Sequence, residues 1–215
     1  MLLNINDLRA EYSNQKMDKG DLSSNPFEQF SRWFKEAVTA QIPEPNAFTL
    51  ASINTSGLPS ARVVLLKELN EKGFVFFTNY NSRKAKDFEY NPHAAMVFSW
   101  LELQRQIRVE GTVEKISTQE SEAYFQSRPK GSQIGAWASP QSQIVENREL
   151  LDAAVEKLSQ QYADADHLPL PPFWGGYLIK PNRLEFWQGR TSRLHDRFEY
   201  LLEAENTWKI QRLAP

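Results

Sequence analysis

In the stretch Trp187-Gln188-Gly189-Arg190-Thr191-Ser192-Arg193-Leu194-His195-Asp196-Arg197, three arginines and a histidine follow an aromatic residue and a glycine. Arginine offers a planar fork that matches phosphate or carboxylate and can lie flat on a ring, while histidine titrates near neutrality. The chemistry such a cluster could serve is the binding of something anionic and ring-shaped. Any one of these arginines alone would fit a solvated β-hairpin. Trp187 and His195 beside them argue for a site.

Three further constellations could meet an anion or a heterocycle. Thr78-Asn79-Tyr80-Asn81-Ser82-Arg83-Lys84 sets two adjacent cations in the first turn of a short helix. Cations there oppose the helix dipole, at a cost of about 0.3–1 kcal/mol, so the placement makes sense if an anion binds at that turn. Tyr124, Arg128 and Ser132 follow one another at steps of four. Tyr124 and Arg128 would share a helical face, while Ser132 lies beyond a break at Pro129 and Gly131. A phenol, a guanidinium and a hydroxyl suit a phosphate monoester, and equally make an ordinary exposed face. Arg62 and Lys67 end the apolar run Val63-Val64-Leu65-Leu66. Strand alternation sends residues five apart to opposite faces, so a shared pocket needs a bulge or a strand end there. Ordinary strand-end charges are the simpler reading. Gln104, Gln106 and Arg108 would line one face of a strand, with amides facing a heterocycle.

The elements that must position these groups can be read from spacing. Asn25, Pro26 and Glu28 read as N-cap, first helical residue and capping-box partner for a helix over about 26–41. Its apolar face is Phe27, Phe30, Phe34, Ala37 and Val38. β-Branched and aromatic runs predict strands at Ala47 to Ile53, Ala61 to Leu66 and Phe74 to Thr78, then about 94–103 and 106–116. A short helix over 83–90 falls between these two groups. Ser117 with Glu120 forms a capping box for a helix through Ser127, followed by a short helical stretch and a longer helix from about Gln143 to Gln161. Strands return at about 174–187 and 197–212. Strands, helices and strands again, with short connections, predict an α+β fold on a small antiparallel, Greek-key-like β-barrel with peripheral helices. Glycine-rich dinucleotide and nucleotide triphosphate motifs are missing.

Length and composition set the outer limits. The 215 residues favour a single domain over 25–215, preceded by a polar arm over 1–24 in which Arg9 and Tyr12 could face a ligand. With 25 Lys plus Arg against 27 Asp plus Glu, the net charge of -2 gives no general field for nucleic acid or an anionic membrane. No cysteine is present, and the three histidines are scattered, so thiol chemistry and a metal site are not expected. With no apolar run approaching about 18 residues and no apolar leader, a soluble cytoplasmic protein is expected.

Taken together, Arg62 to Lys67, Thr78 through Lys84, Gln106, Tyr124/Arg128/Ser132, Gln141-Ser142 and Trp187-Gln-Gly with Arg193-Leu-His-Asp-Arg197 resemble pyridoxine (pyridoxamine) 5'-phosphate oxidases. The resemblance implies an FMN-binding split β-barrel and a homodimer with FMN at the subunit interface. The implied reaction oxidises pyridoxine 5'-phosphate or pyridoxamine 5'-phosphate to pyridoxal 5'-phosphate by hydride transfer to the flavin, with O2 reduced to H2O2. Carried over residue by residue, the FMN contacts would be Arg62, Val63, Val64, Leu65, Leu66, Lys67, Phe77, Thr78, Arg83, Lys84, Gln106, Gln141, Ser142, Trp187 and Arg197. Substrate contacts would be Arg9, Tyr12, Lys67, Tyr124, Arg128, Ser132, Arg193 and His195, the last two being the catalytic pair over the pyridine ring. Phe77 stands where a tyrosine is often found, and Ala10 replaces a second arginine of the arm. The alternatives are a split-barrel flavin reductase on another substrate, or a non-catalytic protein that binds flavin or pyridoxal phosphate. A flavin set together with a separate phosphate trio and Arg193/His195 argues against both.

Overall fold

The computed structural model describes residues 12, 16–204 and 207–215. Arg9, expected to face substrate from the arm, and the neighbouring Ala10 lie outside the described residues. In chain order the elements are α1 (Pro26–Thr39), β1 (Ala47–Ile53), β2 (Pro59–Leu65), β3 (Glu68–Asn70), β4 (Gly73–Asn79), α2 (Arg83–Tyr90) and β5 (His93–Trp100). These are followed by β6 (Arg105–Lys115), α3 (Thr118–Ser127), α4 (Lys130–Ala138), α5 (Arg148–Gln161), β7 (Trp174–Gln188), β8 (Asp196–Leu202) and β9 (Trp208–Leu213). The strands form one sheet in the order β2-β1-β5-β6-β7-β4-β3, with β8 pairing β7 and β9 pairing β8. The β3–β4, β4–β7, β7–β8 and β8–β9 ladders are antiparallel. The expected α+β class follows.

The chain gathers into two compact units. One comprises Met1–Thr49, Ala95–Glu110 and Pro181–Pro215, the other Leu50–Ala94 and Gly111–Lys180. Strands β1, β5, β6 and β7 run from one into the other.

The first unit is built on aromatic packing. α1 lays Phe30 and Trp33 inward; Phe30 meets Phe98 edge-on at 5.0 Å, and Trp33 meets Phe186 at 5.3 Å. Asn25 caps α1 by accepting from the Phe27 and Glu28 amides. The expected capping box with Glu28 does not form, because the Glu28 carboxylate accepts instead from the Ser23 hydroxyl. Met17, which composition assigns to the arm, is buried, and its amide donates to Asp196. The single strand expected over 197–212 is two, β8 and β9, paired Arg197 with Leu213 through Leu202 with Trp208. On β6, Gln106 and Arg108 share the half-buried face opposite Ile107 and Val109. Gln104 does not join them: β5 stops at Trp100, a 3-10 turn follows, and Gln104 has φ 52° outside the strand.

In the second unit β4 is buried almost throughout and pairs with the start of β7, from Phe74 opposite Ile179 to Asn79 opposite Trp174. The glycines of β7 allow that approach. A Cβ at Gly176 would run into the Ile116 side chain and the Phe77 ring, and one at Gly175 would run into the Tyr80 hydroxyl. The Ser117–Glu120 capping box on α3 forms as expected. The long helix α5 begins at Arg148, not near Gln143, since Asn147 is its cap and accepts from the Leu150 amide.

Candidate active site

The flavin-phosphate residues expected around α2 converge in the second unit. Lys84 is only 8% exposed, and its ammonium donates to Thr78 Oγ1 at 3.0 Å, Ser82 Oγ at 3.3 Å and Gln141 Oε1 at 2.8 Å. Those partners are neutral oxygens. Burial is the main reason its pKa falls from 10.5 to about 8, with the neighbouring Arg62 lowering it further and Asp87 opposing. Ser82 is the N-cap residue of α2, yet its side chain makes no cap hydrogen bond and accepts from Lys84 instead. Arg83 is exposed at the first residue of α2; Ser142 is also exposed, in a turn between α4 and α5, with φ 69°.

Arg62 reaches the same region from β2. Its fork donates to Ser52 Oγ at 2.7 Å, Ser60 Oγ at 2.8 Å and the Leu50 carbonyl at 3.3 Å, and it lies 3.7 Å from the Asp87 carboxylate. The Ser52 hydroxyl donates to that same carboxylate at 2.6 Å. Burial depresses the Arg62 pKa more than Asp87 raises it. One buried carboxylate thus faces two cations, leaving this corner with surplus positive charge. Of the run after Arg62, Val63 is 67% exposed, Val64 and Leu65 are half-buried, and Leu66 is buried. β2 ends at Leu65, so Lys67 sits in the connector, exposed, with its amide bound to the Val75 carbonyl. Strand alternation therefore does not govern it, which removes the obstacle to Arg62 and Lys67 serving one ligand.

The second constellation of this unit is an aromatic stack. Phe77 lies on Tyr124 at 3.8 Å and 18°, and on Trp174 at 5.5 Å and 14°; Tyr124 and Trp174 are parallel within 4°. The Phe77 ring is thereby committed to protein packing. Arg128 was expected on the helical face of Tyr124, but it is the C-cap of α3, with extended backbone. What brings the two together is Trp174, over whose ring the Arg128 guanidinium sits at 4.7 Å. Among the described residues Arg128 Nη1 is buried without a hydrogen-bond partner, and burial lowers the pKa of the group. Ser132, exposed in the first turn of α4, follows directly. Gln133, fully buried beside it, donates to the Arg128 carbonyl at 2.9 Å and accepts from the Leu168 amide at 2.8 Å.

The ring-binding cluster belongs to the first unit. Trp187 on β7 meets His195 at 4.5 Å, and Tyr12 packs edge-on against both, at 5.9 and 5.6 Å. His195 Nδ1 accepts from the Arg190 amide at 3.1 Å, which assigns the ring proton of a neutral imidazole to Nε2. Burial, then Arg193, lowers the His195 pKa. Ser192 and Arg193 both adopt positive φ, 55° and 58°, in a 3-10 turn that leaves Arg193 exposed. Non-glycine residues in that region are uncommon and cluster at functional sites. Arg197 points elsewhere. It forms a two-pronged pair with buried Glu185, at 3.0 and 2.9 Å, and donates to the Ala214 carbonyl. That pairing raises its pKa and occupies the fork expected to meet flavin.

Sequence reasoning missed Ser52, Asp87, Gln133, Trp174 and Glu185. Asp87, one turn after Arg83, and Trp174, immediately before two glycines, carried a readable signal; the others are defined only by what they touch.

The residues fit a phosphorylated cofactor through the surplus charge around Lys84, and the unpaired Arg128 Nη1 offers a second, separate anion contact. Comparison with known proteins agrees. Residues 34–162 match the family model of pyridoxamine 5'-phosphate oxidase, and residues 174–215 match the pyridoxine 5'-phosphate oxidase C-terminal dimerisation region. The pyridoxine/pyridoxamine 5'-phosphate oxidase of Burkholderia mallei (strain SAVP1) is 54% identical over 211 residues, 97% of this chain and 98% of that protein. Its counterpart in Burkholderia thailandensis is 53% identical over the same coverage. Among solved structures, PhzG from Burkholderia lata 383 in complex with tetrahydrophenazine-1-carboxylic acid is 29% identical with a TM-score of 0.88, covering 96% of this chain and 100% of that one. A pyridoxamine 5'-phosphate oxidase-related, FMN binding protein from Nostoc punctiforme PCC 73102 is 16% identical with a TM-score of 0.70, covering 90% and 99%, and shares the fold. The architecture is accordingly the split β-barrel, and the chain belongs to the pyridoxamine 5'-phosphate oxidase family.

Proposed function

We propose that this protein is an FMN-dependent oxidase that converts pyridoxine 5'-phosphate or pyridoxamine 5'-phosphate to pyridoxal 5'-phosphate, with O2 reduced to H2O2, in pyridoxal phosphate synthesis and salvage. The observation that carries the reading is that one unit holds two separate cationic nitrogens, at Lys84 and at Arg128, that form no salt bridge among the described residues. Two anion sites suit a phosphorylated cofactor and a phosphorylated substrate.

The cofactor is FMN, which when bound supplies the hydride acceptor and the reaction with oxygen. Lys84, Thr78, Ser82, Gln141 and Arg83 would hold its phosphate, with Arg62 kept in place by Asp87 and Ser52. Lys67, Tyr124, Arg128 and Ser132 would hold the substrate's phosphate, where charge-assisted hydrogen bonds from a fork are the strong kind. Arg193 would press on the pyridine ring and stabilise charge developing at the substrate's oxygen or nitrogen. His195, with Nδ1 occupied by the Arg190 amide, would donate a hydrogen bond from Nε2–H there. Tyr12 and Trp187 fix the imidazole from two sides. No nucleophile is needed, so the residues act by orientation and charge. The chain forms a homodimer through 174–215, and the FMN sites are proposed at the interface of the two copies.

A second reading comes from the likeness to PhzG. An arginine fork accepts carboxylate as well as phosphate, so a reduced ring bearing a carboxylate is the competing substrate class. Steady-state peroxide formation separates them. Pyridoxine and pyridoxamine 5'-phosphates are expected to be turned over with a specificity constant at least about a hundredfold above tetrahydrophenazine-1-carboxylic acid, the range given by a charge-matched pocket. The reverse order would establish the second reading.

A further inference from the structure

The geometry points to Trp174 as a positioning residue for the substrate's phosphate, acting through Arg128 and Tyr124. The inference rests on the reading of those two residues as phosphate contacts.

An arginine that binds an incoming anion must be held without being neutralised. Arg62 and Arg148 of the same unit are held by carboxylates, Asp87 and Asp152. Arg128 is held differently. Among the described residues no carboxylate lies within ion-pair distance of it; its guanidinium rests on the face of Trp174 at 4.7 Å, with the Phe125 ring at 5.7 Å. A ring face attracts the cation through its quadrupole and uses none of the five N–H donors. Nη1 is accordingly buried and unpaired. The main chain of Arg128 is fixed at both ends, its amide to the Phe125 carbonyl and its carbonyl to the Gln133 amide group. The side chain is left to be aimed by the indole.

The same indole orients the phenol together with Phe77, which stacks on Tyr124 at 3.8 Å while the indole lies at 6.2 Å. Tyr124 lies parallel to Trp174 within 4°, with Phe77 stacked on both. Trp174 is itself located by backbone, opposite Asn79 in the β4–β7 ladder and with its amide donating to the Pro171 carbonyl at 3.0 Å. One flat side chain at the start of β7 therefore sets the direction of two of the four groups assigned to the phosphate. Leucine would fill much of the space but offers neither a plane nor a quadrupole; phenylalanine keeps both on a smaller scale.

The test uses the FMN-loaded dimer of wild type, Trp174→Leu, Trp174→Phe and Arg128→Ala, with flavin content, kcat, KM for pyridoxine 5'-phosphate and equilibrium binding of pyridoxal 5'-phosphate all measured. Trp174→Leu is expected to raise KM and the dissociation constant by about tenfold or more while kcat stays within about twofold and flavin content is unchanged. Trp174→Phe should recover most of that, leaving a rise of roughly two- to fivefold. If Trp174→Leu does not fold, Trp174→Phe decides alone, and an unchanged KM and dissociation constant overturn the inference. A fall in kcat with KM unmoved, or equal effects of Leu and Phe, also overturns it. Should Arg128→Ala leave KM unchanged, the assignment of Arg128 to the phosphate falls and takes the inference with it. A raised KM in Arg128→Ala with wild-type values in both Trp174 variants sinks the role of Trp174 alone.

Discussion

Lys84 is where sequence and structure meet most directly. Two cations opening a helix marked the turn as an anion site, and in the fold the second of them is buried among neutral oxygens. With its pKa lowered from 10.5 to about 8, the charged form is the disfavoured one while no anion is bound. In that window the unfolded chain binds a proton that the folded chain does not, so stability of the flavin-free protein should rise from about pH 8 to 10.5. A phosphate reverses the preference, so FMN affinity should be level below pH 8 and fall above it. Titration of flavin-free protein with FMN at pH 7 and 9.5 should show weakening by roughly tenfold, and Lys84→Met should bind weakly at both pH values without that slope. A slope that survives in Lys84→Met would assign the titration elsewhere. Arg193→Lys keeps charge but loses the flat fork, and turnover should drop about tenfold or more with flavin content preserved. Equal turnover would remove Arg193 from the chemistry. The residue types at these positions were legible because the cations and aromatics are crowded. What holds them was less so: Asp87 and Trp174 carried a signal in their neighbours, but Ser52, Gln133 and Glu185 gain meaning only from the side chains they touch.

At the scale of elements, the spacing of apolar residues located α1, β1, β4, β6 and α3 to within about three residues, since each carries a clear period or cap. The misplacements have physical causes. α5 starts late because Asn147 caps it, and 197–212 divides into β8, ending at Leu202, and β9, starting at Trp208, which the run of apolar residues on either side conceals. β3, three residues long, is too short to show a period. Gly73, the first residue of β4, has φ 150°, and a Cβ there would land on the Ile179 carbonyl oxygen. Backbone cannot yield as a side chain can, so Gly73→Ala should cost roughly 3 kcal/mol or more in chemical denaturation. A loss under about 1 kcal/mol would mean that the hairpin relaxes freely. Tyr177 gives the opposite expectation: its hydroxyl is buried without a partner, so Tyr177→Phe should be neutral or stabilising, by up to about 1 kcal/mol.

For the whole molecule, the near-balanced charge and absence of cysteine pointed away from nucleic acid and disulfides, and the family resemblance, carried by short motifs spread along the chain, supplied what composition could not. Of the two units, one carries Lys84 and Arg128 and the other carries Trp187, Arg193 and His195. With residues 174–215 matching the dimerisation region and flavin proposed at the interface, dilution should release FMN together with monomer. Analytical ultracentrifugation with detection at the flavin absorbance would follow both at once, and a flavin-replete monomer would contradict the interface assignment. The most direct test of the central claim is the visible spectrum of the purified protein under anaerobic conditions, before and after addition of pyridoxine 5'-phosphate. The account predicts an oxidised flavin spectrum that bleaches on addition, returns when air is admitted, and leaves pyridoxal 5'-phosphate with H2O2; a flavin spectrum that the phosphorylated vitamer does not bleach would contradict it.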